Sequence, residues 1–264
     1  MNDKSMELNI LWLWPDILNL HGCRGNAMAF ARVAELYGIK TNIKRVARLS
    51  DDFDPNDADI IVLGSGELNV MPDIAGALLK QLTSITNFAK SGGVLFATGT
   101  TAAALGVHTT RLDGSHVYGI GLLDMECAER EVVLGDDCIF HLNGASGNAI
   151  SFGTDNPIYG IQIQMIDIKL AEGQNSLGKV SYGYGNNGQG VEGAVKEGVV
   201  FTNTQGPVLV KNPWLTLDLI RKAVLRKNPE MDPDTLNFDS SLFEIELASA
   251  RAIQAFNDKK EKSR

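Results

Sequence analysis

The sequence predicts an α/β fold: a mostly parallel sheet flanked by helices, with antiparallel additions and a C-terminal helix. Two patterns carry that prediction. Over the first hundred residues, compact apolar runs at 8–14, 59–63 and 94–97 alternate with amphipathic segments, as strands buried on both faces alternate with helices. From 116 to 180 the chain changes to β-like runs interrupted by Gly, Asn and Asp, the signature of hairpins and sheet extensions. Composition agrees: 44% hydrophobic and 21% charged residues match an ordinary globular chain and exclude a disordered, collagen-like or coiled-coil one.

Taken in order, residues 8–14 are a buried strand stopped by Pro15-Asp16. Residues 26–37 place Phe30, Val33, Ala34 and Tyr37 on one helical face, with Gly38 suited to the helix end. Residues 41–46 are a second strand, and 59–63 (DIIVL) a third that runs into Gly64-Ser65-Gly66. Pro72 suits the first turn of a helix whose face is Ile74, Leu78, Leu82 and Ile85. Strand 94–97 turns through Thr98-Gly99-Thr100-Thr101 into an alanine-rich helix. In the middle, 131–134, 158–163 and 165–170 read as strands, and 183–193 as a turn-rich loop. Strand 199–202, helix 213–226 and helix 240–256 follow, then a charged end at 258–264. At ~150 residues per domain, residues 1–228 form one domain, and 229–264, opening on a Pro- and Asp-rich stretch, a helical tail.

The charge balance, 24 Lys+Arg against 32 Asp+Glu with a net charge of −8, argues against coating nucleic acid or a membrane surface. Cys23, Cys127 and Cys138 are too few and scattered for a disulfide framework and fit a reducing compartment. The apolar run at 8–13 contains Asn9 and ends before Pro15, short of the ~20 residues of a membrane span. A cytoplasmic location, with no nucleic-acid partner and no membrane span, is therefore expected. His21, His108, His116 and His141 show no metal-ligand spacing, so neither a metal nor another cofactor is expected.

In a parallel sheet, ligands bind beyond the carboxyl ends of the strands. Three loops stand there: 15–26, 64–71 and 98–101. The strand-turn-helix at Thr98 has the form of a nucleophile elbow, yet the residues alone favour Thr98 and Thr100 as caps of the following helix. Gly64-Ser65-Gly66 offers backbone N–H groups of the kind that hold an oxyanion, or a simple tight turn. His21 and Cys23 share the first loop beside Arg24, which would lower a thiol's pKa. Asp16 and Asn19 are equally turn formers.

Several segments together resemble a known family. WPDILNLHGCRGN is similar to the opening loop Y-[PG]-[DN]-L-x-N-x-Y-G-D-x-G-N of class I glutamine amidotransferase domains of the cobyric acid synthase type. DDFDPNDADIIVLGSGE resembles their strand ending in a G-G-G-Q-D-like turn, and GVLFATGTTAAALG their elbow V-L-A-[VI]-C-G-G-[YF]-Q-L-L-G. LGKVSYGYGNNGQGVEG and VVFTNTQGPVLVKNP resemble P-L-G-x-V-x-x-G-x-G-N-N…E-G and G-[TS]-Y-[LF]-H-G-P-[LI]-L-x-[RK]-N. The likeness covers nearly the whole chain in order, and is greatest to glutaminase subunits of lipid II isoglutaminyl synthase. It implies a flavodoxin-like amidotransferase fold that releases ammonia from glutamine for a Mur-ligase-like partner subunit.

The departures fall on the chemistry. The elbow cysteine aligns with Thr98, or with Gly99 one residue on, and the histidine base with Gln205. The G-F-E-N-H segment falls on 160–164, which lacks its acid and histidine, and the substrate arginine falls on Val132, with Arg130 close by. Cys23 replaces the first-loop aspartate. Because losing a nucleophile or base costs several orders of magnitude in rate, the sequence predicts a catalytically degenerate subunit. Thr98 is then the nucleophile slot and Gln205 the base slot; Gly64, Ser65, Gly66, Gly99 and Arg130 are the substrate-binding positions. The alternatives are an active amidotransferase using Thr98 or Cys23, and a binder of a small amide or amino acid in a pocket made less polar by Ile161, Ile163 and Val132.

Overall fold

The computed structural model describes residues 6–144 and 155–262. The strands are β1 (Glu7–Leu13), β2 (Lys40–Val46), β3 (Ile60–Leu63), β4 (Val94–Thr98), β5 (His108–Thr110), β6 (His116–Tyr118), β7 (Met125–Leu142), β8 (Ile158–Leu170), β9 (Gly178–Tyr182), β10 (Val191–Glu192), β11 (Ala194–Lys196) and β12 (Val199–Thr202). The helices are α1 (Arg24–Leu36), α2 (Met71–Leu79), α3 (Leu82–Lys90), α4 (Ala102–Leu105), α5 (Val208–Lys211), α6 (Pro213–Lys227) and α7 (Glu244–Lys262). Residues 263–264 of the charged end lie outside the described residues.

The first sheet runs β11-β12-β4-β3-β1-β2 and is parallel throughout except for the edge pair β11–β12. Period-two alternation supplies both of its cores. Leu8, Ile10 and Trp12 of β1 face one side with Phe30 of α1 and Trp214 and Ile220 of α6. Leu11 and Leu13 face the other, with Ile74 and Leu78 of α2, Phe88 of α3 and Ala102–Leu105 of α4. A strand with helices on both faces must be apolar in both registers, which is why these runs are continuous rather than alternating.

A second sheet runs β10-β9-β7-β5-β6 with β8 paired to β7, and β8 meets the loop after β12 through the antiparallel bridge of Ile161 with Gln205. The predicted strand 131–134 is one part of the 18-residue β7, which changes register between Glu129 and Leu134. The runs 158–163 and 165–170 are the single strand β8. The predicted helix from Pro72 to Ile85 breaks at Lys80-Gln81 into α2 and α3. Strands β5, β6 and β11 were too short for the periodicity to expose. In the tail, Phe243 and Ala250 join the α1/α6 core, and Lys260 pairs with Asp136 of β7 at 2.8 Å. Among the described residues, no helix is long and apolar enough to cross a membrane, and no group of three metal-ligating side chains assembles.

Candidate functional site

Strands β1, β3, β4 and β12 all point the same way, so their carboxyl ends bring four loops together. The first loop closes on the third strand: Leu20 N–H donates to the Ser65 carbonyl at 3.0 Å. Only glycine fits at 64, where a Cβ would stand 2.2 Å from the Leu18 carbonyl oxygen and 2.8 Å from Cys23 Cβ. The loops predicted to carry chemistry thus meet at one place, and Cys23 is brought into it.

The turn after β4 has the elbow's geometry at Gly99. Its φ is +64°, the left-handed region that ordinary side chains avoid. A Cβ built there would lie 2.8 Å from Gln205 Nε2, 2.5 Å from Ser65 Oγ and 2.9 Å from Ser65 Cβ. A side chain at 99 would therefore point at the Gln205 carboxamide, and the Ser65 side chain stands in its way. Thr98 closes β4 in extended conformation, paired with Thr202. Its hydroxyl lies 3.4 Å from Cys23 Sγ, and its carbonyl accepts from the Thr101 hydroxyl at 2.8 Å.

The oxyanion-type amides have internal acceptors. Ser65 N–H donates to Cys23 Sγ at 3.1 Å. Gly66 N–H donates to Thr100 Oγ1 at 3.0 Å, and the Thr100 hydroxyl donates back to the Gly66 carbonyl at 2.5 Å. Ser65 Oγ lies 3.0 Å from Thr100 Oγ1 and accepts from Thr100 N–H at 3.3 Å. Ser65 is 1% exposed, Thr98 0% and Gln205 2%, so a substrate would reach none of them without displacing protein. Burial pushes the Cys23 thiol up, against the lowering effect of its contacts with Thr98 and Ser65. That is opposite to the shift a nucleophilic thiolate needs.

Gln205 is held by its backbone, bridged antiparallel to Ile161 of β8. Its Nε2 donates to the Ile163 carbonyl at 3.2 Å, and its buried Oε1 has no partner. Two turns of side-chain bonding from β8 lock the neighbouring loop: Gln162 Oε1 accepts from Gly185 N–H (2.9 Å) and Tyr184 N–H (3.1 Å), and Gln164 Nε2 donates to the Asn186 carbonyl (2.9 Å). Glu192 is a functional candidate that sequence reasoning overlooked, although it closes the quoted E-G motif. It is fully buried, and its Oε1 accepts from Thr202 Oγ1 (2.6 Å), Thr204 Oγ1 (2.7 Å) and Thr204 N–H (2.8 Å). Desolvation outweighs these bonds and raises its pKa.

Other predicted positions are not gathered in. Arg130 of β7 pairs with Asp167 of β8 at 2.6 Å, donates to Tyr184 OH in the loop after β9 at 3.2 Å and lies 5.1 Å from the Tyr184 ring centroid. No described contact joins it to Gly64, Ser65, Gly66 or Gly99. Val132 is exposed at the β7 irregularity. His21 is exposed on a short turn while Cys23 is buried, and no hydrogen bond joins the pair. The expected capping role of Thr98 and Thr100 is not seen either: neither side chain caps the helix, and both bond across to other loops.

No family model matches the chain. It is 30% identical over 229 residues, 84% of this chain and 82% of the relative, to the GatD subunit of glutamine-hydrolyzing lipid II isoglutaminyl synthase from Streptococcus pneumoniae. It is 26% identical over 239 residues, 89% of this chain and 92% of the relative, to the same subunit from Staphylococcus aureus. Among solved structures, a glutamine amidotransferase superposes with TM-score 0.50 at 14% identity, over 81% of this chain and 98% of that one. PurLQS from Thermotoga maritima gives 0.53 at 12%, over 84% and 97%. These two share the fold.

Proposed function

Since the chain belongs to the family of GatD subunits of lipid II isoglutaminyl synthase, we propose that it is a catalytically degenerate member: an amidotransferase-like subunit that does not hydrolyse glutamine. It works with a Mur-ligase-like partner in lipid II amidation or a related cell-wall step, in the cytoplasm. One observation carries this reading: Gly99 stands where the elbow's side chain belongs, and Ser65 fills the space that side chain would need.

Each requirement of glutamine hydrolysis supports it further. Attack on a carboxamide needs a thiolate or activated hydroxyl facing a base. Position 99 has no side chain, and the Thr98 hydroxyl contacts Cys23 rather than Gln205. The base must titrate near neutrality, and Gln205 carries a carboxamide, which does not. Stabilising the tetrahedral oxyanion needs N–H groups free to meet it, and those of Ser65 and Gly66 are bonded to Cys23 and Thr100. Nucleophile seat, base and oxyanion donors are thus each altered, and the alterations interlock. We assign Gly99 rather than Thr98 to the nucleophile slot, keep Gln205 in the base slot, and assign Arg130 a structural pairing rather than substrate binding.

The test is glutamate release from glutamine by the purified chain, alone and with the ligase-like chain that co-purifies from its own cell. The expected result is none in either case, with a stable complex in the second. Release that disappears in Cys23→Ala or Thr98→Ala would replace this reading by an active amidotransferase with non-standard residues.

A further inference from the structure

We infer that the apolar groove between α1, α5 and the start of α7 is where the partner subunit docks, and that the partner enters it with an aliphatic anchor flanked by Lys or Arg. The inference rests on the proposed pairing with a ligase-like chain and adds its location and chemistry.

The groove has a volume of about 460 Å³ and is lined by Met28, Val33 and Leu36 of α1, by Leu209 and Val210 of α5, and by Leu242 and Ile245. Its rim leaves large side chains in water: Ile245 is 83% exposed, and Met28 and Val210 are 42% exposed each. Single exposed apolar residues are ordinary, but several gathered around one concavity mark an interaction surface. An enclosed aliphatic anchor, ringed by contacts that exclude water, is how a small patch gains most of its affinity.

Charge selects the kind of partner. Glu244 and Glu246 flank Ile245 in the first turn of α7, and no ion pair is described for either. Among the described residues, the groove's one basic side chain, Arg32, is already paired with Glu35 at 3.1 Å. The rim is therefore net negative, and complementary Lys or Arg beside the anchor would both speed encounter and fix its register.

Two of the helices that line the groove start beside the closed site. Helix α1 begins immediately after Cys23, and α5 begins three residues after Gln205. Asn26 and Pro207 tie the two together: Leu209 N–H donates to Asn26 Oδ1 at 3.0 Å, and a Cβ at Gly25 would stand 2.5 Å from Pro207 Cγ. A partner seated here bears on the elements that carry the former base slot and the Cys23 that occupies the Ser65 amide. A subunit that no longer makes ammonia would need this surface to remain intact, which a loss of catalysis does not disturb.

The experiment measures binding of the purified ligase-like partner to the full chain by titration calorimetry, for wild type, Ile245→Glu, Glu244→Lys/Glu246→Lys and Leu79→Glu. Leu79 is the control, exposed on α2 away from the groove. Ile245→Glu is expected to weaken Kd about 10–30-fold, because the rim residue that must lose its water around the partner's anchor becomes charged. The double charge reversal is expected to slow association and reverse its salt dependence, while Leu79→Glu leaves binding unchanged. Unchanged melting of Ile245→Glu, whose side chain is mostly in water, confirms that folding is not at issue. Equal Kd for wild type and Ile245→Glu overturns the docking site while leaving the pairing intact. No complex with wild type overturns the pairing itself. Concentration-dependent self-association that Ile245→Glu abolishes would reassign the groove to a second copy of this chain.

Discussion

Gly99→Ala should destabilise the protein far more than its two added hydrogens and one carbon suggest. The φ of +64° costs a residue with a Cβ about 1–2 kcal/mol. The new Cβ would also stand 2.5 Å from Ser65 Oγ, 2.8 Å from Gln205 Nε2 and 2.9 Å from Ser65 Cβ. Rotating the Ser65 hydroxyl relieves only the first of these; the third needs backbone movement in a fully packed turn. Overpacking of this kind costs about 1–3 kcal/mol, giving about 2–5 kcal/mol in total. For a chain of this size that is a Tm lower by roughly 5–15 °C. Urea denaturation of wild type, Gly99→Ala, Ser65→Gly and the double variant completes the cycle. Removing Ser65's side chain should return about 1–3 kcal/mol as coupling, because it vacates the space the alanine needs. The left-handed cost remains, so the double variant should not reach wild type. A Gly99→Ala protein within about 0.5 kcal/mol of wild type, or a coupling energy of zero, would refute the claim that Ser65 fills the seat of residue 99; surface changes normally fall within that margin.

Two further perturbations probe the buried polar groups. Glu192 has a raised folded-state pKa through desolvation, against an ordinary value of 4.5. The folded state therefore holds this proton more tightly than the unfolded chain. The stability it contributes is full below pH 4.5 and is lost as pH rises through the folded value. Glu192→Gln keeps an acceptor for Thr202 and Thr204 without the titration, so its stability relative to wild type should rise between pH 4 and pH 8, on the order of the shift; parallel urea-derived profiles for the two proteins would contradict this. Thr100→Val deletes the acceptor of Gly66 N–H and the donor to the Gly66 carbonyl, and should cost about 2–4 kcal/mol through two unsatisfied buried groups. Thr101→Val at the same turn loses one local bond and should cost less; equal losses would show that the bonds across to Gly66 are not what holds the loops together.

The chain's own pattern determined the parallel sheet, because a strand covered on both faces must be apolar at every position. The runs at 59–63 and 94–97 could be little else. Sequence also determined one limit on any chemistry here, since a carboxamide at 205 cannot titrate wherever it lies. The second sheet was only partly legible: β7 carries Asp, Glu and Arg over much of its length and bends at a register change, so neither period nor hydrophobicity marks it as one strand. Tertiary structure alone decided what surrounds Gly99 and the Ser65 amide. That Ser65 stands against Gly99, or that Cys23 accepts from the Ser65 amide, depends on contacts across 34 and 42 residues of chain. Such contacts follow from the packing of three strand ends, which no local spacing encodes. The same holds for Arg130, two residues from the expected arginine position in sequence, yet committed by the β7–β8 pairing to Asp167. A one-residue change of alignment moves a side chain to the opposite face of a strand, so our proposed assignment of Gly99 over Thr98 rests on φ at the turn, a quantity that only the folded chain possesses.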